Sequence, residues 1–246
     1  MKAKTLSPLF LWVVICAWNQ PVILAGSPST DSASTATVSG VVKFEGKLPA
    51  PAPISMAADP TCAKQHHAPV LSQDVVTDGK GGLQNAIVFV ADGLGDRTFD
   101  QPSQPVVIDQ KGCMYEPHVV AMQANQPLEL VNQDPTSHNI HPVPSNNREW
   151  NKAEPPGTKA EETFSREEIA IPLKCNIHPW MRGYIAVFKH PFFTVTKADG
   201  SFDLRGLPPG TYVIKAWQEK LGTTTQTITV SANENKAVEL VFKPHR

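Results

Sequence analysis

The segment Ile169-Ala-Ile-Pro-Leu-Lys-Cys175-Asn-Ile-His178-Pro-Trp-Met181-Arg-Gly-Tyr-Ile-Ala-Val187 decides how this chain of 246 residues reads. Alternate residues of a strand share a face, so Ile169, Ile171, Leu173 and Cys175 lie on one apolar side and deliver the thiol into a core at the strand's end. A short loop follows, in which His178 and Met181 come at steps of three, Pro179 stiffens the path and Gly183 leads into a second apolar strand. Thiolate, imidazole and thioether form a soft donor set that suits copper far better than calcium, magnesium or manganese. Zinc accepts the Cys and the His, but Met is a poor zinc ligand.

The loop alone supplies three donors, whereas a trigonal copper site needs a second imidazole. The run Asn132-Gln-Asp-Pro-Thr-Ser-His138-Asn-Ile-His141 offers one just beyond an apolar strand, where a sandwich can bring it beside the loop.

Working outward, residues 86–90, 106–109, 119–122, 128–132, 169–175 and 184–188 read as short strands separated by Gly, Pro, Asn and Asp clusters. No window of a dozen residues has helical spacing, although 159–168 has room for one helical turn. An all-β sandwich over residues 84–190 follows. Past His190-Pro191, strands at 192–196, 202–204, 211–217, 224–231 and 237–242 surround the turns Asp199-Gly200 and Pro208-Pro209-Gly210, giving a second, smaller β-sandwich over 191–246. Upstream, in the stretch 37–83, Val38, Gly40, Val42 and Phe44 alternate as one strand before a proline-rich extended connection at 49–53.

The beginning of the chain reads differently. Lys2 and Lys4 precede an apolar run too short to span a bilayer, and Ala25 is a small residue suited to cleavage, so residues 1–25 read as a secretory signal peptide and 26–36 as a flexible polar leader. Export to the periplasm or medium follows, with no membrane span left after cleavage. Removing 1–25 takes Lys+Arg from 22 to 20 against 23 Asp+Glu, a net charge of -3. Such a balance gives no basic face for nucleic acid.

At this point the residues carry a resemblance. Cys175-Asn-Ile-His178-Pro-Trp-Met181-Arg-Gly looks like the ligand loop of the amicyanin and plastocyanin group of cupredoxins, with amicyanin's short His-to-Met spacing. Ser137-His138-Asn139-Ile140-His141 is similar to their other ligand segment, and Tyr115-Glu-Pro117 with Val119-Val120 to an early strand. The resemblance implies a Greek-key sandwich holding one type 1 copper ion equatorially by His138, Cys175 and His178, with a long axial contact from Met181 and an N–H of Asn139 to the thiolate. It assigns His141 no metal. It also implies an electron carrier rather than an enzyme, with a cytochrome or dehydrogenase as redox partner and a link to amine oxidation. Pro179 and Trp180 beside the ligands then offer an apolar docking patch, with the histidine edge at the surface. Asn125-Gln126 replaces the family's glycine turn, and the long polar segment 143–158 predicts a more covered site. Similarly, Asp199-Gly-Ser-Phe202-Asp-Leu204-Arg-Gly206-Leu-Pro-Pro-Gly210-Thr-Tyr212 resembles the carboxypeptidase regulatory-like, or transthyretin-like, sandwich. The strand 38–44 resembles the opening of such domains, which raises a discontinuous domain with the cupredoxin inserted.

Three cysteines follow residue 25, an odd count for an oxidising compartment. A disulfide between Cys62 and Cys113 leaves Cys175 as the ligand, and closing about 50 residues contributes on the order of 4 kcal/mol. The competing reading is a second metal site from Cys62, His66, His67, Cys113 and His118, which suits a copper-handling or copper-sensing protein.

Overall fold

A computed structural model describes residues 34–48 and 50–244. The signal peptide expected at 1–25, its cleavage near Ala25 and most of the leader lie outside the described residues. The described residues form eighteen strands and a one-turn helix, Pro60–Ala63, an all-β architecture as their turn-rich alternation predicts. No helix among the described residues is long and apolar enough to cross a membrane.

The half that carries Cys175 is a sandwich of two sheets. One runs in the order Lys152–Glu154, His138–Pro142, Glu168–Lys174, Arg182–Phe188 and Val119–Gln123. The other runs Lys159–Glu162, Leu128–Asn132, Val106–Lys111 and Met114–Glu116. Neighbours distant in sequence, including two parallel pairs, mark the crossovers of a Greek-key layout. Alternate side chains of both sheets fill the space between them, among them Ile108, Leu130, Ile140, Ile171, Ile185 and Val187, each at most 1% exposed. Such burial is worth about 25 cal/mol for each Å² removed from water.

Two local expectations change here. The segment 159–168 makes no helical turn; Lys159–Glu162 pairs antiparallel with Leu128–Asn132, because the ladder satisfies backbone groups that one isolated turn leaves open. The single apolar face of 169–175 is also broken. Ala170 has φ of 64°, and the register shifts between Glu168 and Ile171, so this bulge keeps Ile171, Leu173 and Cys175 inside while Ile169 packs on the opposite layer.

The other sandwich joins the sheet Ser201–Leu207, Ala36–Phe44, Asn235–Phe242 to the sheet Phe193–Val195, Ile87–Asp92, Gly210–Gln218, Gly222–Val230. Its strands therefore come from both sides of the half that carries Cys175. Ile87–Asp92, expected at the start of the 84–190 sandwich, pairs instead with Phe193–Val195 and Gly210–Gln218. The physical reason is that both of its faces are apolar. Val88 and Val90 enter this sandwich's own core, while Ile87 and Phe89 meet Val119, Ala186 and Phe188 in a layer between the two halves. A strand apolar on both faces requires cover on both, and that place lies at the seam.

Candidate metal centre

Cys175 emerges from the end of Glu168–Lys174, 3% exposed. His178 Nδ1 lies 3.9 Å from its Sγ and 2.9 Å from His138 Nδ1. The three donor atoms fall within 4.8 Å of one another, and all three residues are buried. Met181, 0% exposed, belongs to the same apolar cluster as Cys175. The loop is closed by main-chain bonds: Met181 N–H donates to the His178 carbonyl at 2.9 Å, and Cys175 N–H to the Met181 carbonyl at 3.2 Å. The four residues singled out by the sequence are thus gathered from a strand end, a tight loop and the first residue of His138–Pro142. Two imidazole nitrogens and a thiol in a dry pocket, with a buried methionine closing the same loop, are a set of residues that fits copper.

Asn139 braces the sulfur. Its Oδ1 accepts from the Cys175 thiol at 3.3 Å and from Asn176 N–H at 2.6 Å, and the His178 N–H donates to the sulfur at 3.4 Å. Tyr115 Oη donates to the Asn139 carbonyl at 2.6 Å, and Asn139 Nδ2 donates to Asn151 Oδ1, a residue of the long polar segment 143–158. Burial works to raise the Cys175 pKa, but its hydrogen bond with His138 and backbone N–H groups of Asn139, His178 and Ile177 outweigh it and hold the thiol below its ordinary value. Burial also disfavours charge on His138, yet its bonds to Asp134 and Cys175 win, raising its pKa to about 9.

Two carboxylates complete the site that sequence reading did not single out. Asp134 Oδ2 lies 2.8 Å from His138 Nε2, and Asp59 Oδ2 lies 2.9 Å from His178 Nε2. Both belong to Asp-Pro pairs, Asp59-Pro60 and Asp134-Pro135. For Asp59 this was a readable signal: Asp at the N-cap with Pro at the first helical position starts a helix, and Asp59 Oδ1 accepts from Thr61 N–H at 2.7 Å.

Cys62 and Cys113 form the disulfide, with Cα atoms 5.5 Å apart, leaving Cys175 as the free cysteine of the described residues. The bridge takes both thiols out of the competing metal site. His66 Nε2 bonds the Gly112 carbonyl at 2.7 Å, His118 pairs with Glu219, and His67 is exposed; none of the three joins a donor cluster among the described residues. His141 turns to Asn176 Oδ1 and Glu149 Oε1.

The expected surface edge of His178 is absent. Its side chain is 3% exposed beneath Asp59, and Cys62 Sγ stands 3.7 Å from Nε2. Trp180 is half-buried, its ring centroid 5.0 Å from that of His178 and its indole N–H donating to the Cys113 carbonyl at 3.2 Å. The loop's exposed residues are Asn176, Pro179 and Ile177, the last 53% exposed. Sequence spacing gave no hint of this cover, because residues 59–62 lie more than a hundred positions away.

A carboxypeptidase regulatory-like domain model matches residues 185–243. That span omits Ala36–Phe44 and Ile87–Asp92, which complete the same sandwich. Among solved structures, the chain is similar to a copper-containing nitrite reductase from Thermus scotoductus SA-01, 20% identical over 39% of this chain and 25% of that one, with a TM-score of 0.34. It is similar to a purple cupredoxin from Nitrosopumilus maritimus, 22% identical over 33% of this chain and 97% of that one, with a TM-score of 0.29. An oxidized mutant amicyanin is 17% identical over 41% of this chain and 97% of that one, with a TM-score of 0.32. The chain thus spans a quarter of the length of the nitrite reductase. Comparison with curated proteins found no match.

Proposed function

We propose that this is an exported type 1 copper protein that binds one copper ion through His138, Cys175, His178 and Met181 and passes single electrons between redox proteins such as a cytochrome or a dehydrogenase. The observation that carries the reading is the convergence of two Nδ1 atoms and a thiol within 4.8 Å, with Met181 buried in the same cluster. When bound, the ion supplies a reversible one-electron couple. The chain does the rest: His138 and His178 arrive with their Nδ1 atoms facing each other beside the thiol, Asn139 and the His178 N–H hold the sulfur, and apolar neighbours keep water out. All four donors come from side chains, which leaves no open position for a substrate and favours a carrier over an oxidase or hydrolase.

Visible absorption of the purified copper(II)-loaded protein tests the reading. An intense thiolate-to-copper band is expected, with one equivalent of copper, and is lost in Cys175→Ser. A colourless copper-loaded wild type overturns the site; two or more tightly held ions point to copper handling instead.

A further inference from the structure

The two carboxylates at the outer edges of His138 and His178 are held by one covalent link. Asp134 Oδ2 accepts the N–H of Cys113 at 2.8 Å and its Oδ1 that of Gly112 at 2.7 Å. On the other side, Asp59 caps the helical turn that carries Cys62, accepting the N–H of Thr61 at 2.7 Å and, more weakly, that of Cys62 at 3.4 Å. The Cys62–Cys113 disulfide joins these two segments across 51 residues. Each imidazole is therefore gripped at Nε2 by a carboxylate whose own position depends on the backbone of one bridged cysteine. The grip is dry at Asp134, where His138 and the aspartate are 0% and 1% exposed, and half-open at Asp59, 23% exposed.

We propose that Asp59 and Asp134 are paired positioning residues for the metal, held by the Cys62–Cys113 disulfide, which lock both imidazoles with Nδ1 facing the thiol and bias the site toward the oxidised ion. This rests on the copper reading above. A carboxylate that accepts the outer N–H of a ligating histidine fixes the ring and its tautomer and makes the inner nitrogen a better donor. Its negative charge, one imidazole away from the ion, stabilises Cu(II) more than Cu(I). A second effect follows at Asp59: it covers the edge of His178, so that edge no longer meets solvent.

The test uses Asp59→Asn, Asp134→Asn and Cys62→Ser/Cys113→Ser in the full chain. With copper bound, each aspartate substitution lowers Cu(II) affinity 10- to 100-fold. The Cu(II)-to-Cu(I) affinity ratio falls about tenfold, an upward potential shift of about 59 mV, and the cysteine double variant shifts the same way. Metal-free protein supplies an independent readout: the Nε2–H of His178 exchanges slowly with water in the wild type and fast in Asp59→Asn, followed by imidazole NMR. Asp59→Asn is the decisive variant because Asp59 is partly exposed and its loss leaves the core intact. If that variant keeps the wild-type potential and the wild-type exchange rate, the proposal is wrong. A wild type that takes up no copper sinks the copper reading, and the exchange measurement still decides whether the clamp exists.

Discussion

His118 Nε2 and Glu219 Oε1 stand 2.6 Å apart with both side chains 5% exposed, one from the sandwich that carries Cys175 and the other from the turn after Gly210–Gln218 of its neighbour. His118 Nδ1 also meets the Arg182 carbonyl at 3.1 Å, and the His118 carbonyl accepts Tyr184 N–H at 3.0 Å. The pair therefore ties the seam directly to Arg182–Phe188, the strand that follows the Cys175–Met181 loop. Glu219→Ala leaves a buried nitrogen without a partner and costs about 2 kcal/mol in chemical denaturation. Glu219→Gln restores an acceptor and recovers most of that loss. Equal stability of Glu219→Ala and wild type would show that the seam holds without this bond.

Gly40 sits where Ala36–Phe44 runs parallel to Asn235–Phe242, and a Cβ there would lie 1.8 Å from the Val238 carbonyl oxygen. Backbone cannot swing aside as a flexible side chain can. Gly40→Ala is expected to destabilise the protein by about 3 kcal/mol, while Gly79→Ala, with open space around it but φ of 78°, pays only for local strain. Thermal unfolding of the two variants compares them. A mild effect at Gly40 means that Ala36–Phe44 is not integral to the sandwich.

The gathering of the candidate site was legible because Cys175, His178 and Met181 are close in sequence and chemically rare together, and His138 because it follows a strand whose alternation is plain. What stayed hidden depends on distant cover. The placement of Ile87–Asp92 is settled by apolar layers on both faces, which periodicity reads only as a buried strand. The bulge at Ala170 uses a non-glycine residue with positive φ, so no turn residue announces it. Asp59 closes on His178 from 119 residues away, a distance at which no local pattern operates.

The Cys62–Cys113 bridge spans 51 residues, including the strand Ile87–Asp92 of the other sandwich, so it constrains an unfolded chain that would otherwise roam widely. Cys62→Ser/Cys113→Ser is expected to lose about 4 kcal/mol in urea unfolding under non-reducing conditions. Peptide mapping should recover Cys62 joined to Cys113 in the untreated protein. A double variant as stable as wild type would assign the bridge no stabilising role.

Glu168 anchors the start of the long polar segment: its carboxylate accepts the N–H groups of Ser145, Asn146 at 3.0 Å and Asn147 at 2.9 Å, and Asn147 Nδ2 at 3.0 Å. Burial works to raise its pKa, but the Asn147 side chain and the three N–H groups prevail and hold it below the ordinary glutamate value of 4.5. A depressed native pKa means that the unfolded state binds the proton more readily, so this stabilisation is complete above about pH 4.5 and fades as pH falls through the lower native value. Glu168→Gln is therefore expected to cost about 1 kcal/mol at pH 7. The gap between variant and wild type should narrow as the pH falls below 4.5 and close once it passes the lower native value, where both carry an uncharged side chain. Parallel denaturation curves at pH 7 and pH 3.5 make the comparison, and a gap that stays constant between them would mean that the charge of Glu168 does not hold the loop.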